Sequence, residues 1–96
     1  MQGVETLTKL TKLELYDNYI DEFDGLDNMN HLLILDMSFN SIRDMSPVSA
    51  LPQLQELYIA QNKLRVIQGL EGMVDLRVLD LGANRIRVYY QIISFL

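Results

Sequence analysis

Apolar residues recur on a fixed period of 22 along this chain. The stretch LRVLDLGANRI carries Leu76, Leu79, Leu81, Asn84 and Ile86, and the same types stand one period earlier at Leu54, Leu57, Ile59, Asn62 and Leu64. Two further steps give Leu32, Leu35, Met37, Asn40 and Ile42, then Leu10, Leu13, Leu15, Asn18 and Ile20. The Leu-x-Leu alternation in each unit predicts a short strand with one face in the core and the other in solvent. After each Asn the apolar spacing changes to three: Ile20, Phe23, Leu26, Met29, Leu32, then Ile42, Met45, Val48, Leu51, Leu54, then Leu64, Ile67, Leu70, Met73, Leu76. That spacing predicts a 3₁₀ or short helical return with one buried stripe. Gly25, Pro47, Gly69 and Gly72 fall in these returns and favour short runs over long α-helices.

The pattern L-x-x-L-x-L-x-x-N-x-L, at a period of roughly 20–29 residues, is the leucine-rich-repeat signature. It predicts an α/β solenoid with a parallel sheet on the concave face and helical or 3₁₀ returns on the convex face. The whole chain, 1–96, reads as one domain with repeats at about 10–31, 32–53, 54–75 and 76–96, preceded by a partial repeat 1–9 in which Met1, Val4 and Leu7 keep the period. In the last ten residues Ile86, Tyr89, Ile92 and Phe95 stay on the stripe, while Tyr90, Ile93 and Leu96 fall off it and widen the apolar face. Asn18, Asn40, Asn62 and Asn84 recur with the core leucines, where an amide is costly unless its donors and acceptor are paired. They are expected to form a ladder that bonds backbone groups of their own bend and of the next turn.

Composition narrows the function classes. The chain is 49% hydrophobic, yet the repeat scatters these residues and leaves no apolar run of about 20, so no membrane span is expected. Residues 1–6 lack the basic and apolar regions of a secretory leader, and there is no Cys, which together suit an intracellular setting. A net charge of −5 and a pI near 4.6 argue against nucleic acid as the main partner.

For catalysis the inventory is poor. The single His31 has no Cys or second His beside it and reads as a surface residue, and the glycines form no phosphate-cradling loop. Acids from different repeats do not make a cation-binding loop, so neither a metal nor another cofactor is expected, and the chain does not read as an enzyme. Binding chemistry is better represented. The residue between the two strand leucines gives the column Glu14, Asp36, Tyr58 and Asp80, and two residues earlier stand Lys12, Ile34, Glu56 and Val78. With Tyr16 and Phe39 just beyond, this face is acidic with aromatic contributions, a composition suited to protein recognition. Five of the eight basic residues, Arg43, Lys63, Arg65, Arg85 and Arg87, flank the apolar residue after each Asn along one edge, where they are expected to balance acids such as Asp44.

The strings LELYDNYI (13–20), LDMSFNSIR (35–43), LYIAQNKL (57–64) and LDLGANRIR (79–87) closely resemble consecutive repeats of the leucine-rich-repeat regulatory subunit of type-one protein phosphatase. The likeness covers residues 4 to 88. It implies a nuclear and cytoplasmic regulator that holds the phosphatase catalytic subunit on its concave face without cleaving phosphate itself. By that resemblance Asp36, Tyr58 and Asp80 are the contact residues, Tyr58 supplying stacking area and the carboxylates pairing with basic groups. Glu14, Tyr16, Phe39 and Glu56 would extend the surface. Members of that family carry more repeats and a distinct C-terminal cap, so contacts from later turns would be missing, and two open ends would favour end-to-end self-association. The axonemal dynein light chain also resembles this repeat style and suggests a cytoskeletal or ciliary adaptor as the alternative.

Overall fold

The computed structural model describes residues 9–89, so the readings made on Met1, Val4, Leu7, Tyr90, Ile92, Ile93, Phe95 and Leu96, and on the burial of Tyr89, lie outside the described residues. Six short strands follow one another: β1 (Lys12–Glu14), β2 (Ile34–Asp36), β3 (Glu56–Tyr58), β4 (Val66–Ile67), β5 (Val78–Asp80) and β6 (Val88–Tyr89). β1, β2, β3 and β5 form one parallel sheet in that order, and β4 pairs with β6 in a second parallel ladder. Each pairing joins residues one period apart, as in Leu13 to Leu35, Leu35 to Leu57 and Leu57 to Leu79.

Backbone bonds between turns extend well past the three-residue strands. They begin where Leu33 and Ile34 donate to the Thr11 carbonyl and continue to where Asp17, Phe39 and Gln61 donate to Ser38, Ala60 and Gly82. The ladder therefore locks the register of about seven residues per turn.

Strand leucines and return residues meet in a single core. Leu32, Leu35, Met37, Ile42, Met45, Val48, Leu51, Leu54, Leu57, Ile59 and Leu64 are all fully buried. Leu10, Leu15 and Ile20 on one side, and Leu76, Leu79, Leu81 and Ile86 on the other, are only partly buried against it. An apolar face is covered only where a neighbouring turn stacks on it, so burial is complete in the middle turns.

The returns are tighter than α-helix. The 3₁₀ segment Ser46–Ala50 has Pro47 in its first turn and is entered through Asp44, whose Oδ1 accepts the Ser46 N–H at 2.9 Å. Elsewhere the return is a chain of three-residue turns, with Met29 donating to Leu26, Leu32 to Met29, Met73 to Leu70 and Leu76 to Met73. No α-helix occurs among the described residues. The spacing of three selects this geometry, and Gly25 and Gly69 interrupt it at φ 72° and 83°. A Cβ at Gly69 would lie 3.0 Å from the Ser46 carbonyl oxygen, so this bend also needs the bare backbone.

Asparagines connect the turns. Asn40 accepts the N–H groups of Asn18 and Ile20, both at 3.1 Å, and its amide donates to Leu15, Met37 and Ser38. Asn62 repeats the scheme with Ile42, Met37 and Ala60, and Asn84 with Leu64, Ile59, Leu81 and Gly82. The ladder thus bonds each residue's own bend, as expected, and reaches to the preceding turn rather than the next. Among the described residues no buried side-chain polar atom lacks a partner.

The residue before each of these asparagines, Asp17, Phe39, Gln61 or Ala83, sits at φ 55–59° in the left-handed region. Such a conformation costs a non-glycine residue on the order of 1 kcal/mol or more, and the bonds of the adjacent Asn hold it in place.

Candidate protein-binding face

Parallel register turns sequence columns into spatial rows. Glu14 pairs with Asp36, Asp36 with Tyr58 and Tyr58 with Asp80, so the four form a continuous row across the sheet, with neighbours about 4.8 Å apart. Lys12, Ile34, Glu56 and Val78 form the parallel row two residues earlier on the same face.

Hydrogen bonds fix several of these side chains. Asp36 Oδ1 accepts the Ser38 N–H and Asp80 Oδ1 accepts the Gly82 N–H, each at 3.0 Å, so both carboxylates close the bend at the end of their own strand. Tyr58 Oη donates to Glu56 Oε1 at 2.5 Å. Lys12 Nζ lies 3.3 Å from Glu14 Oε1, an exposed pair of small energetic worth.

Tyr58 is the electrostatic centre of the row. Its hydrogen bond to the Glu56 carboxylate raises the phenol pKa above its ordinary 10.0, and desolvation and the negative charges of Glu56, Asp36 and Asp80 push the same way. The stabilisation by this bond is therefore complete below about pH 10 and is lost as pH rises through the higher folded-state value. In a spectrophotometric titration at alkaline pH, Tyr58 is expected to ionise after an unperturbed tyrosine. Glu56→Gln should bring its midpoint down. An unchanged midpoint in that variant would show that the bond to Glu56 does not control the phenol.

Five of the seven residues expected on the binding surface, Glu14, Asp36, Glu56, Tyr58 and Asp80, share the strand face. Tyr16 and Phe39 lie at its rim, past the strand ends, where they are 51% and 57% exposed. Tyr19, which sequence reasoning passed over, is 98% exposed and lines a shallow hollow with Asp17, Phe39 and Gln61. An aromatic residue at a column otherwise occupied by Ser41, Lys63 and Arg85 was the available signal. His31 is exposed, as expected.

Comparison with known proteins identifies the architecture. The family model described as Leucine Rich repeats (2 copies) matches residues 52–88. Internalin C2 of Listeria monocytogenes superposes with a TM-score of 0.84 at 24% identity, over 96% of this chain and 39% of that one. This protein is a leucine-rich-repeat solenoid. An internalin F from the same organism gives a TM-score of 0.81 at 31% identity over 94% of this chain and 26% of its own. The functional domain of InlJ of Listeria monocytogenes, described as including a cysteine ladder, gives 0.77 at 30% identity over 86% of this chain and 18% of its own. This solenoid thus spans well under half the length of each of the three. No curated protein matches it.

The described sheet face thus carries a row of carboxylates around one tyrosine. Among the described residues no group of three or more His, Cys, Asp or Glu could hold a metal ion, and no helix is long and apolar enough to cross a membrane.

Proposed function

We propose that this solenoid is a non-catalytic protein-binding module that docks the catalytic subunit of a type-one protein phosphatase on its concave face. The observation that carries the reading is the unbroken row Glu14, Asp36, Tyr58 and Asp80, which the strand register assembles from four turns. Tyr58 offers a rigid aromatic body at the middle of the row, and the flanking carboxylates offer acceptors for basic groups on a partner. The leucine-rich-repeat architecture supports protein binding in general; the phosphatase as partner rests on the four repeat strings of the sequence. A nuclear and cytoplasmic location belongs to the same proposal.

Pull-down of the purified phosphatase catalytic subunit tests it, with tubulin and axonemal motor chains offered in parallel. Replacing Asp36, Tyr58 and Asp80 together by Ala should weaken capture at least roughly tenfold, since central aromatic and charged contacts commonly contribute about 2 kcal/mol or more each. Full retention by the triple variant would refute the site. Capture of tubulin or motor chains in place of the phosphatase would transfer the partner to the cytoskeletal class.

A further inference from the structure

The basic edge is built differently from the sheet face. Lys63 donates its backbone N–H to Ile42, Arg85 to Leu64 and Arg87 to Arg65, and β4 pairs with β6 immediately beyond. These bonds place Arg85 beside Lys63 and Arg87 beside Arg65, one turn apart, with Arg43 one turn before Arg65 in the same column. Arg43, Arg65, Arg85 and Arg87 are exposed and Lys63 is half-buried.

The expected local neutralisation is not what the geometry shows. Asp44, the acid nearest in sequence, is engaged instead by the Ser46 N–H and by Gln68 Nε2. None of the five cations lies within ion-pair distance of an acid among the described residues, where the recorded pair is Lys12 with Glu14. Among the described residues the five cations thus stay outside any ion pair, although Arg43 shares a shallow hollow with Asp21, Glu22 and Asp44.

We propose that this edge is a second binding surface, for a short acidic peptide segment of a partner protein. Arginine forks pair carboxylates bidentately, and rows held by the backbone at one strand spacing present these forks at fixed intervals. The size of the ligand follows from the ends of the stripe. Three turns span about 10 Å, two strand spacings, and one turn before Arg43 the same column holds Asp21. A few carboxylates fill that length. A nucleic-acid backbone would run on past Arg43 into Asp21 and Glu22 and against the acidic sheet face.

The test is fluorescence anisotropy of a labelled hexaglutamate peptide against the full chain at low salt, with a labelled hexathymidylate in parallel. Arg65→Glu with Arg87→Glu should weaken peptide binding roughly tenfold or more, and added salt should weaken it in the wild type. The Ala triple variant at Asp36, Tyr58 and Asp80, which removes two negative charges, should bind the peptide at least as tightly as the wild type, which separates this surface from the phosphatase site. Circular dichroism checks the fold, and Arg65→Gln with Arg87→Gln replaces the charge reversal if that variant does not fold. Absence of peptide binding to the wild type, equal binding by the arginine variants, or hexathymidylate binding as tight as hexaglutamate would each overturn the proposal. So would a dimer in sedimentation that the arginine variants abolish, because the edge would then serve a second copy of the chain.

Discussion

Leu57→Ala is expected to lower stability by about 2–5 kcal/mol, a large part of the roughly 5–15 kcal/mol that holds a small domain together. Leu57 is fully buried and occupies the middle of β3, with Leu35 paired on one side and Leu79 on the other. Truncation opens a cavity between two turns that the inter-turn backbone ladder prevents from collapsing. In a domain near 100 residues each kcal/mol moves the midpoint by about 4–8 °C, so thermal unfolding should shift by on the order of 8–40 °C. Leu79→Ala, at the same repeat position in a turn where the leucine is only partly buried, should cost clearly less. The contrast distinguishes stacking from intrinsic strand preference. Equal losses in the two variants would mean that turn-on-turn burial is not the dominant force.

That same contrast shows what could be read from sequence and why. The column of strand leucines was legible because a repeat of constant length has only one way to bring equivalent positions side by side, and the register Leu13, Leu35, Leu57 and Leu79 follows. The row on the sheet face was legible for the same reason: Asp36, Tyr58 and Asp80 inherit their adjacency from the leucines beside them. What each carboxylate does there was hidden. The closure of the strand-end bend by Asp36 and Asp80 depends on local dihedrals that a polar residue type does not reveal. The second ladder, Val66 with Val88 and Ile67 with Tyr89, was hidden too, since two residues per strand carry no alternation to detect. Gln53 likewise gave no signal, although its Nε2 donates to the Met29 and Leu32 carbonyls of the preceding return at 2.8 and 3.1 Å. Such cross-turn caps need only a donor of the right reach, so any of several residue types could have filled the place.

Asn62→Ala is expected to cost on the order of 1–3 kcal/mol, and Asn62→Asp at least as much at neutral pH. In the alanine variant the Ile42 N–H loses its partner, and the Met37 and Ala60 carbonyls each lose one of two donors, keeping Asn40 and the Phe39 N–H, with Asn62 itself buried where water cannot replace it. In the aspartate variant the acceptor for Ile42 survives, but an oxygen bearing negative charge replaces the donor opposite two carbonyl oxygens, at 2.9 and 3.0 Å in the wild type. Protonation removes that charge, so the penalty of the aspartate should shrink as pH falls, while the penalty of the alanine should not. Asn18→Ala provides the control. Asn18 is exposed and among the described residues its side chain donates to Leu15 and Tyr16 within its own bend, where water can take its place. Denaturant midpoints for the three variants at neutral and mildly acidic pH would decide the matter. Because Asn62 also borders the left-handed Gln61, its removal should loosen the bend that ends β3 and, with it, the position of Tyr58. An Asn62→Ala protein as stable as the Asn18→Ala protein would show that the asparagine ladder is a passive by-product of the repeat and not a bond between its turns.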